Sequence, residues 1–376
     1  MVTSPIYAIA DRYVDDFAAL NPIAATGLGV PGHETEMTDH SPAGIERRHA
    51  LDTATAAALR DEQPATKRDR MARDVMLERF DLATELHDAR AHLRDLNILH
   101  SPTQGIRSVF DLMPRATAVD WTNIATRMRL VPEALEGVRA TLDEGIAEGL
   151  TSAARQVRGV TQQCEVWSGQ REDQPAFFQT LLDAYDEAAI GDAALRTELV
   201  EGAQIAGDAY ALHARYLQDD YLPRAEPLDP VGRERYQLHA RAFNGIELDL
   251  DETYAWGWEE LWRIQEQMRE TAERINPGAS VAEAIDLLNN DDAGAIEGEE
   301  PFRQWMQDLQ DGTIAQFDGV HFDIAEPIKK IEAMIAPPGG ALAMYYTGPS
   351  EDFSRPGRTW YPTGGATRFP IWREVS

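Results

Sequence analysis

Cysteine is almost absent from the sequence: the 376-residue chain contains only Cys164. One cysteine cannot form an intrachain disulfide, which excludes a disulfide-stapled secreted fold and favours a reducing compartment. For Cys164 itself, the role of a small buried apolar side chain is expected before that of a nucleophile.

Basic residues and long hydrophobic runs are also scarce. Only 35 Lys and Arg stand against 64 Asp and Glu, and the net charge of -29 repels nucleic acid and anionic lipid. The first residues have no basic region, and Asp11 interrupts their apolar run. No run approaches the ~20 apolar residues of a membrane-spanning helix. We therefore expect a cytoplasmic protein with no nucleic-acid partner and no membrane partner.

What the chain does contain is helical periodicity. Ser-Pro pairs, which supply a helix cap and then proline at the first helical position, occur at residues 4–5, 41–42 and 101–102, and Asp229-Pro230 is a related pair. Ser280 with Glu283 forms a capping box, which predicts a further helix start. Charged segments with one-sided apolar stripes predict helices over residues 67–99, 132–165, 174–221 and 230–245.

The sequence pattern changes toward the C-terminal end. From residue 321 to 363, alternating aromatic-rich pieces are separated by turn signals such as Pro-Pro-Gly-Gly, which is typical of strands and hairpins. We predict that residues 341–347 pair antiparallel with residues 357–362. The expected fold class is mainly α, in one continuous domain: a large multi-helix body over residues 1–335 and then a small β-hairpin segment over residues 336–376.

Two well-known motifs in residues 26–37 lack the context that they need. Gly27, Gly29 and Gly32 match the dinucleotide fingerprint G-x-G-x-x-G, but no strand precedes them and no helix directly follows them. A His-Glu pair opens the zinc motif H-E-x-x-H, yet Met37 stands where the second histidine is required. We interpret this stretch as a surface loop.

Histidines and aromatic residues form no complete catalytic constellation in the sequence. His87 and His92 lie five residues apart on one predicted helix, about 140° from each other, so they are not expected to converge on a metal ion. Tyr254, Trp258 and Trp262 have helical spacing, which indicates a core stripe rather than a ligand platform.

Three segments carry a resemblance to a known family. Residues 232–261, 321–328 and 341–363 stand in an order that resembles domain-of-unknown-function family 885, whose members are similar to zinc-dependent peptidases of the carboxypeptidase-like kind. In the last segment, the Ala-x-Tyr-Tyr and Arg-Pro-Gly pieces of the family hairpin correspond to Ala343 through Gly357. The resemblance implies a partial zincin-like architecture and, in full-length relatives, peptide-bond hydrolysis by zinc-activated water.

The same resemblance implies that this chain is catalytically incomplete. Family members follow the hairpin with a zinc-binding helix of the form H-E-x-x-P-G-H-H, whereas this chain ends at Ser376 and has no histidine after His321. We therefore expect an N-terminal portion with no catalytic residue, no metal ligand and no cofactor of its own. Zinc and a peptide substrate belong to the full-length relatives, and the expected partners are a missing C-terminal half or a second copy of the chain.

The hairpin is the expected substrate-binding element, because an edge strand in zincin-like peptidases pairs with the extended substrate. The residues that we place at such a cleft are Tyr345, Tyr346, Arg355, Arg358 and Tyr361. The arginines suit a substrate carboxylate. In the alternative arrangement, the tyrosines pack and the arginines pair with local acids such as Glu351 and Asp352.

Two functions from other classes stay open at this point. One is a stand-alone helical binding or scaffold protein without catalysis. The other is a metal-independent enzyme with its site in the helical body. The abundance of carboxylates, 64 in all, prevents any acid pair from being singled out as a general acid and base.

Overall fold

The fold is mainly helical, as predicted. A computed structural model describes residues 4–171, 174–291, 294–336 and 343–370, in which thirteen α-helices and five short strands occur. The chain divides into two compact units. Of the described residues, the first unit holds 4–230 and 347–357, and the second holds 231–336, 343–346 and 358–370.

Nine helices lie in the described part of the first unit. They are α1 (Pro5–Leu20), α2 (Pro22–Leu28), α3 (Pro42–Asp61), α4 (Lys67–Asp88), α5 (Pro102–Leu112), α6 (Ala118–Glu148), α7 (Ala154–Trp167), α8 (Phe177–Glu187) and α9 (Ala193–Tyr216). The three Ser-Pro pairs begin α1, α3 and α5, which confirms these predicted starts. The predicted segment 132–165 contains a break, because α6 ends at Gly149 in the left-handed conformation.

The main core of the first unit packs α6 against α9 and their neighbours. Trp121 and Met128 of α6 are fully buried, and Cys164 of α7 belongs to the same core, as predicted. Gly202 on α9 permits the close approach, since a Cβ at this position would lie 3.1 Å from Met128 Cβ. A smaller cluster of α1, α3 and α4 comprises Ile6, Ile9, Ala56, Leu59 and Phe80.

The stretch with the G-x-G-x-x-G spacing begins in a helix. Its first residues belong to α2, which Gly29 ends with a φ of 76°, so the surface-loop interpretation is wrong before this glycine. Residues 30–37 form no helix or strand, in agreement with that interpretation. Buried Arg127 holds the loop by donating hydrogen bonds to Thr26 Oγ1 and to the carbonyl oxygens of Pro22, His33 and Glu36.

The second unit combines four helices with most of the strand residues. Apart from Thr347 of β3 and Gly357 of β4, which belong to the first unit, its elements are α10 (Arg233–Asn244), α11 (Leu250–Ile275), α12 (Val281–Asn289), β1 (Ala295–Glu297), α13 (Glu299–Phe317), β2 (Ile331–Ile335), β3 (Tyr345–Thr347), β4 (Gly357–Tyr361) and β5 (Arg368–Pro370). The helix start predicted at Asp229-Pro230 is wrong, because Gly232 adopts a φ of 82° and α10 begins only after it. The capping box at Ser280 does begin α12, as predicted.

The strands form two small sheets. β1 and β5 pair antiparallel with Ile296 opposite Phe369, and β2, β4 and β3 are hydrogen-bonded in that order. β3 and β4 lie within the two pieces that were predicted to pair, although residues 341–342 of the first piece are outside the described residues. β1 and β2 interrupt the helical body predicted over residues 1–335. The single continuous domain stays a prediction.

Candidate functional site

The edge strand β3 presents one tyrosine to its neighbour and one to solvent. The Tyr345 ring stacks on Trp360 of β4, with centroids 5.9 Å apart and an angle of 7° between the rings. Successive side chains of a strand point to opposite faces, and Tyr346 is 54% exposed. Of this predicted pair, therefore, Tyr345 packs in the sheet and Tyr346 is accessible.

Tyr361, at the end of β4, lies in the core of the second unit. Its side chain is buried and makes an edge-to-face contact with Phe302 of α13, with centroids 5.9 Å apart. Burial raises the pKa of the Tyr361 hydroxyl above its ordinary value. Tyr361 therefore packs the end of β4 against α13.

Arg358 on β4 pairs with an acid on the neighbouring strand. Its Nε donates to Glu332 Oε2 of β2 at 2.9 Å. The two side chains are 23% and 33% exposed, so the pair is partly screened by solvent. The acids named in the sequence-based alternative, Glu351 and Asp352, are not its partners in this contact.

Arg355 belongs to the first unit, where it holds a loop in place. Its Nη2 donates to the Gly27 carbonyl oxygen at 2.6 Å, and its backbone N–H donates to Ser350 Oγ at 2.9 Å. The Asp352 carboxylate accepts from the hydroxyls of Ser350 and Ser354, which lowers the pKa of Asp352 to about 2. Arg355 thus positions the 350–355 turn against the end of α2.

Sequence reasoning missed a stack of histidines in the first unit. The rings of His49 and His87 are parallel with centroids 3.7 Å apart, and the His87 and His92 centroids are 4.9 Å apart. His87 and His92 lie side by side, despite the separation of about 140° expected for an unbroken helix, because α4 ends at Asp88 and Arg90 is left-handed, with a φ of 54°. The spacing of an unbroken helix therefore does not apply to them.

Two members of the histidine stack, His87 and His92, have depressed pKa values, and the stack lacks metal-binding geometry. Burial, the neighbouring His87 and Arg90 lower the pKa of His92 to about 4. His87 Nε2 also approaches Glu46 Oε2 at 3.4 Å. Face-to-face stacking keeps the ring nitrogens from pointing at one ion, and no group of three or more His, Cys, Asp or Glu in the described ranges is placed to hold a metal.

The aromatic row on α11 lies at the surface instead of in a core. Tyr254, Trp258 and Trp262 are 68%, 45% and 58% exposed, and the rings contact one another along the helix. Nearby Leu261 and Met268 are exposed as well. The core-stripe interpretation is therefore wrong: the spacing correctly indicated one apolar face, but no described element covers it.

These features define a mainly helical protein with a small sheet that ends in an edge strand. Over residues 22–376 the chain matches the model of a family described as "Bacterial protein of unknown function (DUF885)". The chain belongs to this family, in agreement with the resemblance found in its C-terminal segments. The comparison with curated proteins gave no match.

Two solved structures share the fold. A protein described as a "putative lipoprotein" from Colwellia psychrerythraea gives a TM-score of 0.74 at 15% identity, covering 97% of this chain and 68% of that one. A "putative lipoprotein of unknown function" from Shewanella oneidensis gives 0.59 at 15% identity, covering 100% and 66%. The chain thus spans about two thirds of each neighbour's length. At this identity, the likeness shows the fold alone.

The described helices are not of the membrane-spanning kind. None of them combines the length and the apolar character that crossing a membrane requires.

Proposed function

We propose that this chain binds an extended peptide along β3, as the substrate-binding portion of a hydrolase similar to zinc-dependent, carboxypeptidase-like peptidases with zincin-like architecture. The main support is the strand order β2–β4–β3, which leaves β3 at the edge of its sheet among the described strands. An edge strand can add a further strand through its backbone N–H and C=O groups. Exposed Tyr346 would then contact the side chains of the added peptide.

Arg358 is the residue that we propose for a carboxylate of the peptide. A carboxylate can bind a guanidinium in a bidentate manner, and it would compete with Glu332, whose pair with Arg358 is partly solvent-screened. The other predicted site residues have supporting roles in this proposal. Tyr345 and Tyr361 pack β3 and β4, and Arg355 holds the 350–355 turn within the first unit.

The proposal assigns binding, and not the catalytic metal, to this chain. Peptide hydrolysis by zinc-activated water needs zinc ligands and a catalytic Glu, which the resemblance places in a later helix of full-length relatives. The zinc-binding part of such relatives is the partner that we propose for residues 1–376. The cytoplasmic location stays a prediction.

Peptide binding can be tested with two labelled peptides that differ only at the C-terminus, one a free carboxylate and one an amide. Fluorescence anisotropy should show that Arg358→Ala weakens binding of the free acid roughly tenfold, because a charge-assisted hydrogen bond is lost. Binding of the amide should change little. Glu332→Gln should strengthen binding of the free acid, since it removes the competing carboxylate.

The matched control is Arg274→Ala on α11, where the guanidinium donates to Thr271 Oγ1 and lies away from β3 in sequence. This variant should bind both peptides as the parent chain does. If Arg358→Ala and the parent chain bind the free acid equally well, Arg358 is not a site residue. If neither peptide binds the parent chain, the proposed function fails.

A second candidate function, a helical binding or scaffold protein, is favoured by the exposed aromatic row of α11. A helix with one uncovered apolar face binds an amphipathic helix of another polypeptide through anchors at i, i+4 and i+8. Glu259, Glu260 and Glu266 lie on the same helix, so such a partner would carry Lys or Arg beside its apolar face.

A further inference from the structure

Among the buried N–H groups without a hydrogen-bond partner in the described part of the first unit, three belong to two neighbouring side chains. They are Nε and Nη2 of Arg107 on α5 and Nε1 of Trp167 at the end of α7. Both side chains are more than nine-tenths buried, at 4% and 2% exposure. A buried donor without an acceptor destabilises the folded chain, and more so when the group is charged. An acceptor is therefore expected at this place.

The guanidinium of Arg107 presents one defined edge to that acceptor. Its Nη1 donates to Asp111 Oδ2 at 2.6 Å, and its face lies over the Phe177 ring with 3.9 Å between the guanidinium carbon and the ring centroid. The remaining edge consists of Nε and Nη2, whose N–H groups are parallel. Two parallel donors match the two oxygens of a carboxylate.

Trp167 lies beside this guanidinium and carries a third unpaired donor. The guanidinium carbon of Arg107 lies 5.9 Å from the Trp167 ring centroid. The indole is held by an edge-to-face contact with Tyr210, whose hydroxyl donates to the Thr103 carbonyl oxygen at 2.9 Å. Both donors therefore come from fixed side chains, and the site does not have to form when a ligand arrives.

We propose that Arg107 and Trp167 bind a small carboxylate, of the size of formate or acetate, inside the first unit. This site is independent of the peptide-binding proposal, which concerns residues of the small sheet. The size limit follows from the burial of both donors. A bidentate acceptor is favoured over chloride, which has one acceptor atom for two parallel donors.

The direct test follows the indole N–H of Trp167 by NMR in the ¹⁵N-labelled 376-residue chain. The signal is assigned by its loss in Trp167→Phe. Addition of sodium formate up to roughly 0.1 M should move this signal downfield in a saturable manner, whereas sodium chloride at the same ionic strength should not. If formate does not change the chemical shift of the Trp167 indole N–H, the proposal is overturned. Water is then the acceptor for these donors.

Urea unfolding gives a second, independent readout. A ligand that binds only the folded chain raises its unfolding midpoint as the concentration passes the dissociation constant. Formate should therefore stabilise the parent chain more than chloride does, and Trp167→Phe should shift the formate response to several-fold higher concentration. Trp256→Phe, an exposed tryptophan on α11, is the control and should respond as the parent chain does. Equal responses of the parent chain and Trp167→Phe contradict the proposal.

Discussion

At the scale of single residues, Gly29 combines an unusual backbone with a close approach. Its φ of 76° is costly for other residues, and a Cβ would lie 2.2 Å from Ser350 Cβ. Gly32 has a φ of 99° but open space around the Cβ position. Substitution of Gly32 therefore reports backbone strain alone, whereas substitution of Gly29 reports backbone strain together with steric overlap.

Gly29→Ala should lower the free energy of unfolding by more than about 2 kcal/mol, because strain and overlap both act. Gly32→Ala should cost only the backbone strain, about 1 kcal/mol. Urea unfolding of both variants measures the difference. Equal losses would show that the 350–355 turn does not press on Gly29.

His213 makes stability depend on pH. It is fully buried on α9, and burial, followed by the charge of Arg139, lowers the pKa of His213 to about 3. The unfolded value is near 6.5, so between these limits the unfolded chain binds a proton that the folded chain does not. The free energy of unfolding therefore falls as the pH falls from about 6.5 toward 3, by up to about 1.4 kcal/mol per pH unit for this one group.

His213→Phe should reduce the slope of the unfolding free energy against pH by an amount that corresponds to the uptake of about one proton on unfolding. This expectation holds whatever the substitution does to stability at neutral pH. His100→Gln, at an exposed position, is the control for the loss of a histidine. The measurement is urea unfolding at several pH values between 5 and 7. If the unfolding free energy of His213→Phe depends on pH as steeply as that of the parent chain, His213 is not a neutral buried imidazole in the folded chain.

At the scale of elements, the sequence predicted helices best where local chemistry alone sets the start. Ser-Pro pairs and the Ser280 capping box act within one turn, so α1, α3, α5 and α12 were found. Asp229-Pro230 failed because Gly232 overrides it. The histidine stack was missed because it depends on where α4 ends and on how α3 packs against it.

The candidate site was only partly predictable for a related reason. Alternation located β3 and β4, but it could not show that Arg358 would find Glu332 on β2 or that Tyr361 would be buried. The spacing on α11 likewise defined an apolar face without showing what covers it. Partners distant in sequence are set by tertiary packing.

The α11 face leads to a prediction about stability. Trp258→Glu with Trp262→Glu should change the free energy of unfolding by less than about 1 kcal/mol, since both side chains are already exposed. Leu135→Ala, in the core at α6, should cost about 2–5 kcal/mol by comparison. If the double α11 variant is as destabilised as Leu135→Ala, the aromatic row is part of a core.

At the scale of the whole molecule, the exposed apolar side chains should make the isolated chain associate or bind apolar probes. Soluble monomers rarely expose contiguous apolar patches beyond a few hundred Å². The net charge of -29 opposes aggregation without covering such a patch. Dye binding and mass by light scattering measure the effect, and the double α11 variant should bind less dye. A compact monomer without dye binding would favour a self-sufficient helical domain.

The central proposal is that this chain contributes binding surfaces and no catalytic zinc centre. Equilibrium dialysis of the purified 376-residue chain against zinc, followed by elemental analysis, tests it most directly. Catalytic zinc is held by a preorganised set of three protein ligands. Because the described residues contain no such set, we expect no tightly held zinc. One tightly held zinc per chain that is lost when His87 and His92 are both replaced would contradict the account.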